Sequence, residues 1–142
     1  MKKTNKTFKL LAWILALMLA LPALTSMAAL ADDVHVFNET KVVSGDVDGQ
    51  ASAVANDGTA SLTVQGSVTN DTTAVSVNAY DGGSVTVETG NVTTENTDPE
   101  INPNAVGVFT TDDTSSADVQ VGDVTSTDMG VNVNNNGGTV EV

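Results

Sequence analysis

The chain has 142 residues, no cysteine, and 18 acidic against 5 basic side chains, which give it a formal net charge of -13. Without cysteine, the chain has no disulfide bond, no thiolate metal ligand and no cysteine nucleophile. Four of the five basic side chains lie within the first nine residues, so Lys41 alone accompanies all 18 acids in the remainder. This charge excludes nucleic-acid binding, because the phosphates would be repelled.

The first 31 residues have the pattern of a secretory signal peptide. Four lysines are followed by the apolar run Leu10–Leu24, and Ala29 and Ala31 provide the small side chains that flank a cut. The apolar run is shorter than the roughly 20 residues that cross a bilayer, which favours cleavage over anchoring. The pattern predicts a signal-peptide helix over residues 1–31, cleavage before Asp32, and a secreted or cell-surface protein without a membrane segment after cleavage.

After residue 31, valine alternates with polar residues. Residues 84–87 read Ser-Val-Thr-Val, and residues 131–134 read Val-Asn-Val-Asn. A period of two is typical of a half-buried strand, and β-branched side chains favour that conformation. The sequence therefore predicts an all-β protein, with a lead-in strand over residues 32–44.

A repeated unit occupies residues 45–142. Its openings read Gly-Asp-Val-Asp, Gly-Ser-Val-Thr, Gly-Asn-Val-Thr and Gly-Asp-Val-Thr, and they begin at Gly45, Gly66, Gly90 and Gly122. The third unit is lengthened between Thr94 and Asn104, which indicates a surface loop. A fixed period of this length is typical of proteins built from stacked structural repeats.

The repeat predicts a parallel β-solenoid of about four coils, since equivalent residues of successive coils then stack at about 4.8 Å. An antiparallel β-sandwich is the alternative, but it does not require four units to match position by position. The solenoid predicts four interior columns, namely Val47, Val68, Val92 and Val124; Val54, Val75, Val106 and Val131; Leu62, Val85, Val119 and Val140; and Val64, Val87, Val121 and Val142.

With its signal peptide and its recurring Gly-x-Val-Thr, Ala-Val-x-Val and x-Val-x-Val segments, the chain resembles right-handed parallel β-helix and adhesin-like repeat proteins of bacterial surfaces. The resemblance covers residues 41–142 and implies a secreted or wall-associated stalk or adhesin. It carries over no functional residue. The final unit stops at Val142 without a polar cap, which predicts either a continuation of the repeats or self-association through an uncapped coil.

Few residues of the sequence suggest catalysis. His35 is the only histidine, and no second histidine or basic residue is available to activate a serine nucleophile. We therefore expect a non-catalytic extracellular structural or adhesive module with no cofactor. The alternative is the N-terminal part of a secreted carbohydrate-active β-helix enzyme whose catalytic coils lie beyond residue 142. The extracellular partner is not identified by the sequence.

Two features are candidates for contact with a partner or an ion. A long loop on a rigid frame often carries function, so the predicted contact surface combines the insertion with two aromatic residues, through Tyr80, Pro99, Pro103 and Phe109. Acidic residues are paired at positions 32–33 and 112–113, and Asp46 and Asp48 lie close together. Calcium prefers such oxygen ligands, so weak calcium binding is a hypothesis beside that of a solvated acidic surface.

Overall fold

The computed structural model describes residues 31–96, 98, 100 and 104–142, which form 14 strands and no helix. The signal-peptide helix predicted for residues 1–31 therefore lies, apart from Ala31, outside the described residues. Within this part of the chain, no helix is long and apolar enough to span a membrane. The strands are β1 (Val34–Phe37), β2 (Thr40–Val43), β3 (Val47–Asp48), β4 (Ala51–Asn56), β5 (Thr59–Val64), β6 (Val68–Asn70), β7 (Val75–Tyr80), β8 (Ser84–Thr89), β9 (Val92–Thr94), β10 (Asn104–Thr110), β11 (Ser116–Gln120), β12 (Val124–Ser126), β13 (Met129–Asn135) and β14 (Thr139–Glu141).

The strands form three sheets, and each strand pairs in parallel with the strand three positions further along the chain. Sheet 1 contains β1, β4, β7, β10 and β13; sheet 2 contains β2, β5, β8, β11 and β14; and sheet 3 contains β3, β6, β9 and β12. The chain thus visits the three sheets in turn and adds one strand to each per coil. The predicted parallel β-solenoid is confirmed, and the parallel pairing excludes the antiparallel sandwich.

The segment over residues 32–44 contains more than the single lead-in strand that the sequence suggests. It provides both β1 and β2, and Ala31 forms a parallel bridge with Val47 at the edge of sheet 3. The residues from Ala31 to Val43 therefore add a rung to all three sheets below the first predicted unit. Ala31 makes two backbone hydrogen bonds to the segment around Val47: its amide donates to the carbonyl of Asp46, and its carbonyl accepts from the amide of Asp48.

The glycines that open the units stack on one another at the corner between sheet 2 and sheet 3. The amide of Gly90 donates to the carbonyl of Gly66 at 2.9 Å, and the amide of Gly122 donates to that of Gly90 at 3.0 Å. A Cβ atom on Gly90 would lie 2.6 Å from the oxygen of Gly66, and one on Gly66 would lie 2.5 Å from the carbonyl carbon of Gly45. Close approach to the preceding coil explains the glycines that open the second, third and fourth units, and a φ of 111° favours glycine at position 45. The predicted corner is confirmed.

The interior column of sheet 3 is the predicted one. Val47, Val68 and Val92 pair in register and are buried, and Val124 continues the column as a partly buried residue. Successive coils place like residues at one strand spacing, so each valine contacts its counterparts above and below.

In sheet 1, one member of the predicted column is wrong. Val75, Val106 and Val131 do pair in register, but Ala51 precedes Val75 in the column and Val54 does not belong to it. Val54 points outward, because inward positions alternate along β4 and are occupied by alanine. A prediction that follows valine alone overlooks alanine as an interior residue.

The two predicted columns of sheet 2 are shifted by two residues in some units. The first column contains Ala60, Val85, Ala117 and Val140, and the second contains Leu62, Val87 and Val119. Val64 pairs with Thr89, while Val121 and Val142 lie beyond the ends of their strands. In β5 and β11 the first buried inward residue is an alanine, Ala60 or Ala117. A prediction that takes the first valine or leucine of the strand as the start of the column is therefore displaced by two residues in these units.

The inward side chains of β13 are more exposed than those of the preceding strand of sheet 1. Val131 and Val133 of β13 are 43% and 45% exposed, whereas their partners Val106 and Val108 in β10 are buried. The inward side chains of a solenoid lie in the plane of their coil, so a rung with no neighbour on one side exposes them.

Candidate functional site

The outer surface of sheet 1 is the most distinctive surface of the described residues. Period-two alternation turns every second side chain of its strands outward. We call the outward-facing set the neutral face; it consists of His35, Phe37, Ser52, Val54, Asn56, Ser76, Asn78, Tyr80, Gly107, Phe109, Asn132 and Asn134.

The neutral face contains no carboxylate, lysine or arginine, although the chain has 18 acidic residues. The outward positions of sheet 2, in contrast, include Glu88, Asp118 and Glu141. Two acids lie directly beyond the ends of its strands: Asp57 follows Asn56 of β4, and Asp81 follows Tyr80 of β7 and accepts a hydrogen bond from Nδ2 of Asn56 at 3.2 Å. Carboxylates are therefore absent from the outward strand positions of sheet 1 and lie in the turns at its edge.

A groove of about 270 Å³ crosses the neutral face. Gly107 lies at its floor, where a Cβ atom would meet nothing nearer than the Thr73 methyl group at 3.7 Å. Because neighbouring strands place Ser76 and Asn132 in register with this glycine, the missing side chain leaves a depression between them. The lining residues are Thr73, Ser76, Asn78, Gly107, Val108, Phe109, Asn132 and Asn134.

Side chains beside the groove hold one another in place. The hydroxyl of Tyr80 donates to Oδ1 of Asn78 at 3.3 Å, and Nδ2 of Asn78 donates to Oγ of Ser76 at 3.2 Å. The ring of Tyr80 also packs against that of Phe109, with centroids 5.9 Å apart and planes inclined by 56°. Such a tilted pair is a favourable aromatic arrangement. Contacts within the protein thus orient Ser76, Asn78, Tyr80 and Phe109.

The predicted contact surface is only partly brought together. Tyr80 and Phe109 are neighbours, but Pro99 and Pro103 of the insertion lie outside the described residues. Asn104 begins β10 and Phe109 is five residues further along, a distance of about 16 Å in a strand. The aromatic pair therefore lies at the opposite end of the sheet from the described base of the loop.

The second acidic pair stabilises a turn. The carboxylate of Asp112 accepts hydrogen bonds from the hydroxyls of Ser115 and Thr114, both at 2.6 Å, and from their backbone amides. These donors, with the Ser115 hydroxyl first, hold the pKa of Asp112 well below its usual range. Asp112 is thus tied to the corner between β10 and β11.

Other acids of the predicted pairs also accept bonds from the next coil. Oδ1 of Asp33 accepts from the amide of Gln50 at 2.7 Å, and Oδ1 of Asp46 accepts from the amide of Ser67 at 2.8 Å. Among the described residues, no group of three or more His, Cys, Asp or Glu side chains could hold a metal ion. Calcium binding stays a prediction.

A larger groove, of about 400 Å³, lies at the corner between sheets 3 and 1. It is lined by Asp48, Gly49, Thr69, Asn70, Asp71 and Glu95. Three carboxylates in one groove would repel an anionic ligand. His35 lies elsewhere, at an exposed outward position of β1 beside Ser52 of β4.

Comparison with known proteins assigns no family. No family model matches the chain, and neither a curated protein nor a solved structure matches it. Any function must therefore be argued from the residues and the geometry above.

Sequence reasoning identifies Tyr80 and Phe109 as contact residues of this surface and misses Phe37 and the amide side chains. Asn78, Asn132 and Asn134 do not stand out in the sequence, because a polar residue on an alternating strand is expected whether or not it binds anything. The available signal is the type of residue: the outward positions of β7 and β13 carry amides or hydroxyls, whereas those of sheet 2 include acids.

Proposed function

We propose that the chain is an exported, non-catalytic structural or adhesive module, in which the β-solenoid is a rigid support for a binding surface. One observation carries the proposal: the three sheets keep a parallel register from the first rung to the last around an interior of valine and alanine. A frame of this kind resists bending, since a bend along its axis would strain hydrogen bonds between coils in the three sheets. It can therefore hold a surface at a fixed position outside a cell.

The distribution of polar groups supports the same proposal. Buried side-chain polar atoms are paired, as between the hydroxyls of Thr94 and Ser126 at 2.9 Å, and Oδ1 of Asn104 is the exception among the described residues. The charged side chains lie on the outside, where they keep a valine-rich β-protein from pairing with other chains. Both features suit a stable scaffold in an extracellular environment without disulfide bonds.

Export can be tested by producing the full chain in a bacterial host and sequencing the N-terminus of the protein outside the cytoplasm. We expect a protein that starts at Asp32 or close to it. An Ala29→Arg and Ala31→Arg double variant should remain uncleaved, because both replacements remove the small side chains beside the cut. Wild-type protein that stays in the cytoplasm with Met1 intact would refute the proposal.

The same measurement shows whether Ala31 is retained. A cut before Asp32 removes the bridge to Val47 and both backbone hydrogen bonds of Ala31, whereas a cut further upstream preserves them.

Two further properties belong to this proposal. Self-association through the exposed valines of β13 predicts a mass that increases with concentration in light scattering, and a Val133→Asp variant should remain monomeric.

Weak calcium binding predicts a higher melting temperature in millimolar calcium chloride than in sodium chloride of equal ionic strength. A calcium titration without that difference removes the calcium hypothesis.

A further inference from the structure

We infer that the neutral face is a binding surface for an uncharged glycan, which would rest on Phe109 and Tyr80 and make hydrogen bonds with the side chains around the groove. This inference rests on the proposed adhesive function and names its ligand class.

The charge of the surface selects an uncharged ligand. An anionic polymer would approach a chain that has 18 acidic residues and, after residue 31, a single lysine. No lysine or arginine of the neutral face could pair with its carboxylates or sulfates. A cationic ligand would gain more from sheet 2, where Glu88 and Asp118 point outward, than from a face without carboxylates. An uncharged ligand suffers no electrostatic repulsion and needs no opposite charge when it binds the neutral face.

The polar groups match the hydroxyls of a sugar. Amide and hydroxyl side chains both donate and accept hydrogen bonds, as sugar hydroxyls do. Asn78 and Ser76 are already oriented by their own hydrogen bonds, and Asn132 and Asn134 lie exposed on the neighbouring strand. Because Asn78 and Ser76 are ordered in the free protein, less conformational entropy is lost when they bind a ligand.

The aromatic pair provides the apolar part of the site. One face of a pyranose ring is lined with C–H groups and packs on an aromatic ring, which is large and rigid. Phe109 borders the groove directly, and Tyr80 supports it from the adjacent strand at a centroid distance of 5.9 Å. A sugar ring would lie beside Phe109 in the groove of about 270 Å³, which Gly107 lines without a side chain.

The size of the face argues against a protein as its occupant. Five strands at about 4.8 Å spacing span about 19 Å, and three outward positions at about 6.6 Å spacing span about 13 Å. The neutral face has 12 outward residues, fewer than the roughly 20–30 residues that each partner contributes to a standard protein interface. A linear glycan needs far less area, and its sugar units repeat on about the same length scale as the strands of the sheet.

The experiment uses the full chain and a panel of soluble hexasaccharides. The panel contains cellohexaose, xylohexaose, mannohexaose, chitohexaose and maltohexaose as uncharged probes, and a galacturonic acid hexamer as the anionic probe. Binding is measured by calorimetry and located by amide chemical-shift changes. We expect at least one uncharged probe to bind with a micromolar to millimolar Kd, with shifts centred on β7, β10 and β13, and the anionic probe not to bind.

Two variants test the location. Phe109→Ala should weaken binding roughly tenfold or more, because it removes the aromatic platform. Gly107→Ala should weaken binding and leave the melting temperature nearly unchanged, since a Cβ atom there has space in the fold but lies in the groove. Thr63→Val is the matched control, because Thr63 points outward from sheet 2 beside Glu88 and should leave binding unchanged.

Three results would overturn the inference: no uncharged probe binds at millimolar concentration, the galacturonic acid hexamer binds most tightly, or both groove variants bind as tightly as the wild type. None of them would affect the export test, so failure of the glycan site can be told apart from failure of the proposed function. A reducing-end assay on the bound probe should show no cleavage; cleavage would support binding but contradict the non-catalytic assignment.

Discussion

Glycine is required at the corner between sheets 2 and 3 because successive coils touch there through their backbones. The amide-to-carbonyl hydrogen bonds from Gly90 to Gly66 and from Gly122 to Gly90 bring these backbones within 3.0 Å of each other. Neither Gly66 nor Gly90 has the positive φ that would favour glycine. Lack of space, rather than backbone conformation, fixes the residue at these positions.

Replacement of Gly90 by alanine should therefore destabilise the fold by about 2–3 kcal/mol, as overpacking of a rigid site does. The new Cβ atom would lie 2.6 Å from the carbonyl oxygen of Gly66, and backbone atoms cannot move aside without disturbing two coils. Chemical denaturation provides the measurement. Gly130→Ala is the control, since its Cβ atom would meet only a Val124 methyl group at 3.7 Å; equal losses in the two variants would contradict the explanation.

The charge of Asp112 stabilises the turn between β10 and β11. Its pKa is lowered by hydrogen bonds from Ser115 and Thr114, which are stronger to the charged carboxylate than to the protonated carboxyl group. A carboxyl whose pKa is lower in the folded than in the unfolded chain stabilises the fold at pH values above its unfolded pKa. That contribution is lost as the pH falls towards the folded pKa.

We therefore expect Asp112→Asn to lower the melting temperature at neutral pH, and the difference from the wild type to shrink below about pH 4, where an ordinary aspartate becomes protonated. Thermal melts by circular dichroism between neutral pH and about pH 2 would show this convergence. Asp128→Asn makes the same change of charge at an exposed site and should give no such trend. A difference that stays constant with pH would show that the variant acts through something other than this carboxylate.

At the scale of the strands, inward and outward positions are decided by alternation, whereas the identity of the residue is a weaker guide. Val54 and Val87 are both valines in central strands, yet Val54 points outward and Val87 is buried between Leu62 and Val119. Alanines at inward positions of β4, β5 and β11 account for the difference between the predicted and the observed columns.

A matched pair of variants measures this difference. Val87→Ala removes two buried methyl groups and leaves a cavity, so it should cost about 2–3 kcal/mol of unfolding free energy. Val54→Ala makes the same chemical change on the outer surface and should cost less than about 1 kcal/mol. Equal losses in urea denaturation would mean that Val54 is as buried as Val87, which contradicts the register of β4 in sheet 1.

For the whole molecule, the parallel register arranges surface chemistry into separate faces. Residues that lie 20 to 30 positions apart in sequence become neighbours on one sheet, so a whole face can be free of charge while the chain remains strongly acidic. The neutral face arises in this way, from five strands that each contribute two or three outward residues. A sequence window over any one of these strands contains no sign of it.

The repeat, its glycine corners and the three-strand coil were determined by the sequence alone, because each coil must meet its own copy at one strand spacing and therefore selects similar residues. The column of Val47, Val68, Val92 and Val124 follows directly from that rule. The remaining registers depended on contacts between coils, since alanine and valine can fill the same interior position when a neighbouring side chain is larger or smaller. The pairing of Tyr80 with Phe109 and the groove over Gly107 were likewise decided by the tertiary structure, because only stacking of the coils brings residues about 30 positions apart onto one surface.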